Sequence, residues 1–153
     1  MVQVRAYRAH AHWEDIDTRF PFSDWDFWTA EDPTKGRVEY ISADAARSSN
    51  ISYLQGDTFF MSTDSTTVLA RGASQGPGRK AVRIQSREAF SYYTMVVDVK
   101  HMPEGMGTWP ALWSYADPWP SVGELDIIEV RHPLPSLSIG SLLNLSNRSV
   151  YSR

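Results

Sequence analysis

The sequence predicts an all-β sandwich or barrel, and three observations carry that prediction. Short apolar or alternating segments recur along the chain, turn chemistry separates them, and no long apolar stripe repeats every 3.6 positions. Domains built this way commonly run to about 200–250 residues, so 153 residues is short for the pattern.

Each element follows from local chemistry. Residues 36–41 (Gly-Arg-Val-Glu-Tyr-Ile) alternate after the turn Asp32-Pro33-Thr34-Lys35 and predict a strand. Helix is confined to a turn or two over residues 43–47. A second strand, residues 58–62, follows the turn Gln55-Gly56-Asp57. The glycine-rich stretch 72–78 is a loop that hands over to one alternating strand across 80–86. Residues 90–99 are aromatic and β-branched for long enough to predict a central strand. The glycines and proline of 103–107 suit no ladder and predict a loop.

Composition narrows the function. Hydrophobic residues make up 42% of the chain and charged residues 22%, with a net charge of −3, which describes one globular domain. Lys and Arg are scattered among carboxylates, which argues against nucleic acid as a partner. No stretch approaches the roughly 18 apolar residues of a membrane span. Cysteine is absent, which removes disulfides, thiolate nucleophiles and cysteine metal sites. Residues 1–8 lack the apolar core of a secretion signal.

The chemistry concentrates in Glu124-Leu125-Asp126-Ile127-Ile128-Glu129. In a strand Glu124 and Asp126 share a face, and Glu129 falls out of phase. One β-bulge at Ile127-Ile128 restores it, and bulges are frequent beside active sites. Three clustered acids repel one another, so at least one pKa rises while another group stays ionised, the pairing that a general acid and a nucleophile require. Solvated carboxylates on an exposed sheet face are the plainer alternative.

The tryptophans shift that balance. Trp109, Trp113 and Trp119 stand within 16 residues of Glu124. Indoles offer sugars a broad apolar face with a polar edge. Core packing is the expectation for Trp113. For Trp109 and Trp119, each beside a proline in loop-like sequence, a cleft position stands at least level with core packing.

Residues 102–113 and 119–129 together resemble glycoside hydrolase family 16, in particular its fungal endo-1,3(4)-β-glucanases, or laminarinases. Residues 32–40 and 76–84 agree, and the resemblance runs from about Phe22 to Glu129. It implies an all-β, concanavalin A-like jelly-roll sandwich that cleaves β-1,3 or β-1,3(4)-glucan with retention. On that model Glu124 is the nucleophile, Glu129 the general acid/base, and Asp126 the acid that holds and tunes both. Trp109 and Trp119 line the glucan cleft. Arg83 meets a sugar hydroxyl, or is a surface strand arginine. No cofactor and no metal is expected, the partner is a β-glucan polysaccharide, and the enzyme is expected to be a monomeric extracellular protein. A glucan-binding module without turnover is the alternative, and retention of all three acids counts against it. A product that neither folds nor binds is the third reading.

Two departures from the family pattern shape the domain assignment. Met106 stands where relatives often carry cysteine, which removes a disulfide. The tail from Val130 to Arg153 holds three arginines, six serines and no acid, so residues 1–129 carry −6 and the tail +3. The family's domain continues about as far again beyond the glutamate motif, so the resemblance implies that residues 1–129 are the N-terminal half of a glucanase domain, making the jelly roll incomplete, with 130–153 outside the fold. Val130-Arg131 can be encoded by the start of a fungal intron, which predicts a translated intron in the tail. Asn50-Ile51-Ser52 is a glycosylation sequon in a predicted loop. His10 and His12 share a strand face without a third ligand and are expected to be exposed.

Overall fold

A computed structural model describes the backbone of residues 2–6 and the whole of residues 25–56, 58–70, 77–89, 91, 97–103, 105 and 107–130. The expectations for His10, His12, residues 72–76, 90 and 92–96, Met106 and the tail from Arg131 lie outside the described residues. The chain divides into two compact units, Met1–His101 and Met102–Arg153.

The first unit is built on short strands. β1 (Val2–Ala6) lies between β5 (Thr58–Met61) and β8 (Val97–Val99), and β4 (Ser52–Gln55) pairs with the other side of β5. All three pairings are antiparallel. Phe59, 1% exposed, is the largest fully buried side chain among the described residues. On the opposite face of β5, Phe60 stacks on its cross-strand partner Tyr53, with centroids 4.6 Å apart and rings 7° from parallel. Such pairs are the unit of sheet stabilisation, each contributing about 0.2–1 kcal/mol. Composition gave no hint of β1, whose five residues pass for an unremarkable terminus.

Two smaller sheets follow. β2 (Trp25–Phe27) pairs antiparallel with β7 (Ile84–Ser86), and β3 (Val38–Tyr40) pairs parallel with β6 (Arg79–Ala81). The single strand expected over 80–86 is thus two strands in different sheets. Ala81 O accepts from Ile41 N at 3.2 Å, and Arg83 O accepts from Trp28 N at 2.9 Å, so the chain changes partners across Val82. Ala81 and Val82 are adjacent apolar residues, so the alternation lapses at this corner, and that lapse was the local signal available.

The helix α1 (Ala43–Ser48) covers the residues expected. Ser42 Oγ accepts from Ala45 N at 3.3 Å, which occupies one of the N–H groups a helix start leaves unpaired. At the far end Asn50, at φ 56°, takes the left-handed conformation. Ile51 N donates to Ala46 O at 2.9 Å and Asn50 N to Arg47 O at 3.0 Å, the two bonds of a Schellman cap. Ile51 and Ala46 then pack with Ile41 in one buried cluster, joined by Phe27 and Val82. Each fully buried isoleucine contributes about 1.5–3 kcal/mol.

The second unit is a hairpin. β9 (Ala111–Tyr115) and β10 (Glu124–Glu129) pair antiparallel through the loop 116–123. Ala116 N closes the loop by donating to Gly123 O at 3.1 Å, and Val130 N donates to Pro110 O at 3.1 Å at the open end. Among the described residues no helix is long and apolar enough to cross a membrane.

Candidate active site

The register of the hairpin determines which side chains meet. Glu124 faces Tyr115, and Asp126 faces Trp113. The pairing then slips, so that Ile128 faces Leu112 and Glu129 faces Ala111, leaving Ile127 as the extra residue. Without that slip Glu129 would fall on the face of Leu125. With it, Glu124, Asp126 and Glu129 occupy one face of β10, beside Ala111, Trp113 and Tyr115 of β9.

Gly123 sets the start of this strand. Its φ of 149° lies where a side chain is rarely tolerated, and it delivers the chain from the loop directly into Glu124.

Two indoles hold the two glutamates. Trp109 Nε1 donates to Glu129 Oε1 at 2.8 Å, and Trp119 Nε1 donates to Glu124 Oε2. Trp109 is 47% exposed, so its ring keeps an open face. Trp119 also packs against Trp113, with centroids 5.9 Å apart and planes at 60°. Trp113 in turn meets Tyr115 at 5.0 Å.

Asp126 sits between the glutamates, and its carboxyl is pushed above the ordinary aspartate range. Burial is the first cause, followed by the charges of Glu124 and Glu129 and a hydrogen bond shared with Glu124. The repulsion expected from the acid cluster therefore falls on the central member.

The structure brings together Glu124, Asp126, Glu129, Trp109 and Trp119. Trp113, expected in a core, is half-buried beside the acids, because its position opposite Asp126 puts it on their face. Tyr115 escaped sequence reasoning, although its spacing of two from Trp113 on a strand was the available signal. Arg83 belongs to the first unit. Its guanidinium lies 4.7 Å from the ring centroid of Trp28 and hydrogen-bonds Tyr40. Burial raises the Tyr40 hydroxyl's pKa, as does the charge of Asp32, while Arg83 opposes both. Arg83 is thus half-buried among aromatic rings and falls between β6 and β7, not on a strand. Asn50 is exposed at the helix cap. Among the described residues no group of three or more His, Cys, Asp or Glu side chains is arranged to hold a metal.

Comparison with known proteins follows this geometry. Residues 25–137 match the family model described as the XgeA-like, catalytic GH16 domain. A probable endo-1,3(4)-β-glucanase of Aspergillus clavatus is 38% identical over 129 residues, which cover 83% of this chain and 19% of that protein. The endo-1,3(4)-β-glucanase of Arthroderma benhamiae is 37% identical, covering 76% of this chain and 24% of that protein. Among solved structures, laminarinase 16A from Phanerochaete chrysosporium, with β-glucans in its donor and acceptor sites, is 40% identical with a TM-score of 0.68. That match covers 75% of this chain and 38% of the other. The chain thus spans about a fifth of the length of these curated relatives and over a third of that structure.

Proposed function

We propose, since this chain belongs to glycoside hydrolase family 16, that its bulged hairpin carries the working carboxylates of a retaining β-1,3(4)-glucanase with a jelly-roll fold. The observation that supports this reading is the placement of three acids on one strand face, with an indole N–H on each glutamate.

Retention requires two carboxyl groups about 5–5.5 Å apart, one attacking and one moving a proton. Glu124 serves as the nucleophile. Its oxygen bonds the anomeric carbon while Glu129 gives its proton to the departing glycosidic oxygen. Glu129 then takes a proton from water, which attacks the same carbon and frees Glu124. Asp126 orients both, and burial together with the charges of Glu124 and Glu129 makes it hold its proton more readily than an ordinary aspartate does. Trp109 and Trp119 orient the glutamates through their N–H groups and offer ring faces to the glucan. Arg83, already stacked on Trp28, donates to a sugar hydroxyl. The enzyme acts outside the cell on β-glucan.

Reducing-sugar release from laminarin tests the reading. Release by the chain, lost by more than about 10³-fold in Glu124→Gln, is the expected result. Glucan binding that survives Glu124→Gln, with no release by either form, would overturn it in favour of a binding module.

A further inference from the structure

The sequon Asn50-Ile51-Ser52 is folded in a way that separates its two chemical requirements. Asn50 is exposed and forms the left-handed residue of the Schellman cap. It opens onto a polar groove of about 250 Å³, which Ser62, Asp64, Thr66 and Lys80 also line. Its lining is mainly polar, so a sugar attached there would meet hydrogen-bonding groups. Ser52, the hydroxyl that completes the sequon, is 0% exposed on β4, and its Oγ has no hydrogen-bond partner among the described residues. A buried hydroxyl without a partner opposes folding, and alanine would remove that cost. Among the described residues, burial calls for a small side chain here but nothing calls for its hydroxyl.

Transfer of an N-linked glycan explains it. The transferase must reach both the asparagine amide and the hydroxyl two residues on, and the folded chain presents only the first. We propose that Asn50 is an N-glycosylation site that is modified before β4 pairs with β5, and that Ser52 serves this transfer and not the fold. In the reaction the Asn50 amide nitrogen bonds C1 of the sugar, the lipid pyrophosphate leaves, and the amide proton departs to a base of the transferase.

The test uses the full chain behind a cleavable leader, translated with endoplasmic-reticulum microsomes, with occupancy read by peptide mapping so that the two further sequons, Asn144-Leu145-Ser146 and Asn147-Arg148-Ser149, are scored separately. Asn50 is expected to be occupied, and to be empty in Ser52→Ala and in Asn50→Gly, which keeps the left-handed cap. The purified, folded, unglycosylated chain, offered to the transferase with lipid-linked oligosaccharide, is expected to gain at least tenfold less glycan at Asn50 than the same chain held unfolded. Ser52→Ala is expected to melt at or above the parent's temperature. An empty Asn50 after translation, equal modification of folded and unfolded chain, or a lower melting temperature for Ser52→Ala would each overturn the proposal. None of these readouts depends on glucan hydrolysis.

Discussion

Trp109 Nε1 donates to Glu129 Oε1 across 20 positions of sequence, tying the approach to β9 to the last residue of β10. As Glu129 gives up its proton the bond becomes one to a charged group, contributing about 1.5–3 kcal/mol, and each 1.4 kcal/mol is roughly a factor of ten in rate. Trp109→Phe keeps a ring and removes the donor. On laminarin its kcat is expected to fall about 10- to 100-fold, with KM changing less than about threefold. A raised KM at unchanged kcat would make Trp109 a sugar platform alone.

Asp126 gives the site a pH signature. Its carboxyl is raised first by burial and then by Glu124 and Glu129. The folded chain therefore binds this proton more tightly than the unfolded chain, and stability falls as pH rises from the unfolded value, about 4, through the raised folded value. Above that window the cost is fully present. Asp126→Asn is expected to raise the melting temperature at pH 7, with the difference from the parent shrinking below about pH 4. A variant that melts lower than the parent at pH 7 would contradict the sign.

Gly78 tests the parallel pairing of β3 with β6. A Cβ there would lie 2.3 Å from the carbonyl carbon of Val38 and 2.5 Å from its N and Cα, all backbone atoms that no rotamer change can move. Gly78→Ala is expected to lose about 1–3 kcal/mol, seen as a lower urea midpoint at unchanged slope.

Phe59 tests the four-stranded sheet. At 1% exposure its ring has no room to reach water, and Phe59→Ala is expected to cost about 3–5 kcal/mol. A loss below about 1 kcal/mol would mean that this face of β5 is not packed as described.

What the sequence disclosed, and what it withheld, follows from how far each signal reaches. The bulge was legible because three acids with one out of phase admit a local solution within a single strand. The helix was placed by the absence of strand patterning over 43–47, and Ser42, which caps it, was the local signal left unused. The partner of β10 was not legible, because Trp113 by itself reads as a core residue and its spacing of two from Ala111 and Tyr115 was not used as a strand face. The corner at Val82 left only the adjacent apolar pair Ala81-Val82, too short a trace to separate a change of sheet from a lapse within one strand. The indole hydrogen bonds lay beyond any pattern, because they join residues whose proximity only the hairpin creates. Family resemblance supplied the roles of Glu124 and Glu129, which periodicity alone left equivalent.

Those two roles are separated most directly by azide rescue of Glu124→Ala on an activated aryl β-laminaribioside, with the anomeric configuration of the product read by proton NMR. If Glu124 is the nucleophile, azide enters the space its carboxylate vacates and attacks in a single displacement. The expected product is the α-glycosyl azide. A β-glycosyl azide from this variant, or the α-azide from Glu129→Ala instead, would contradict the assignment.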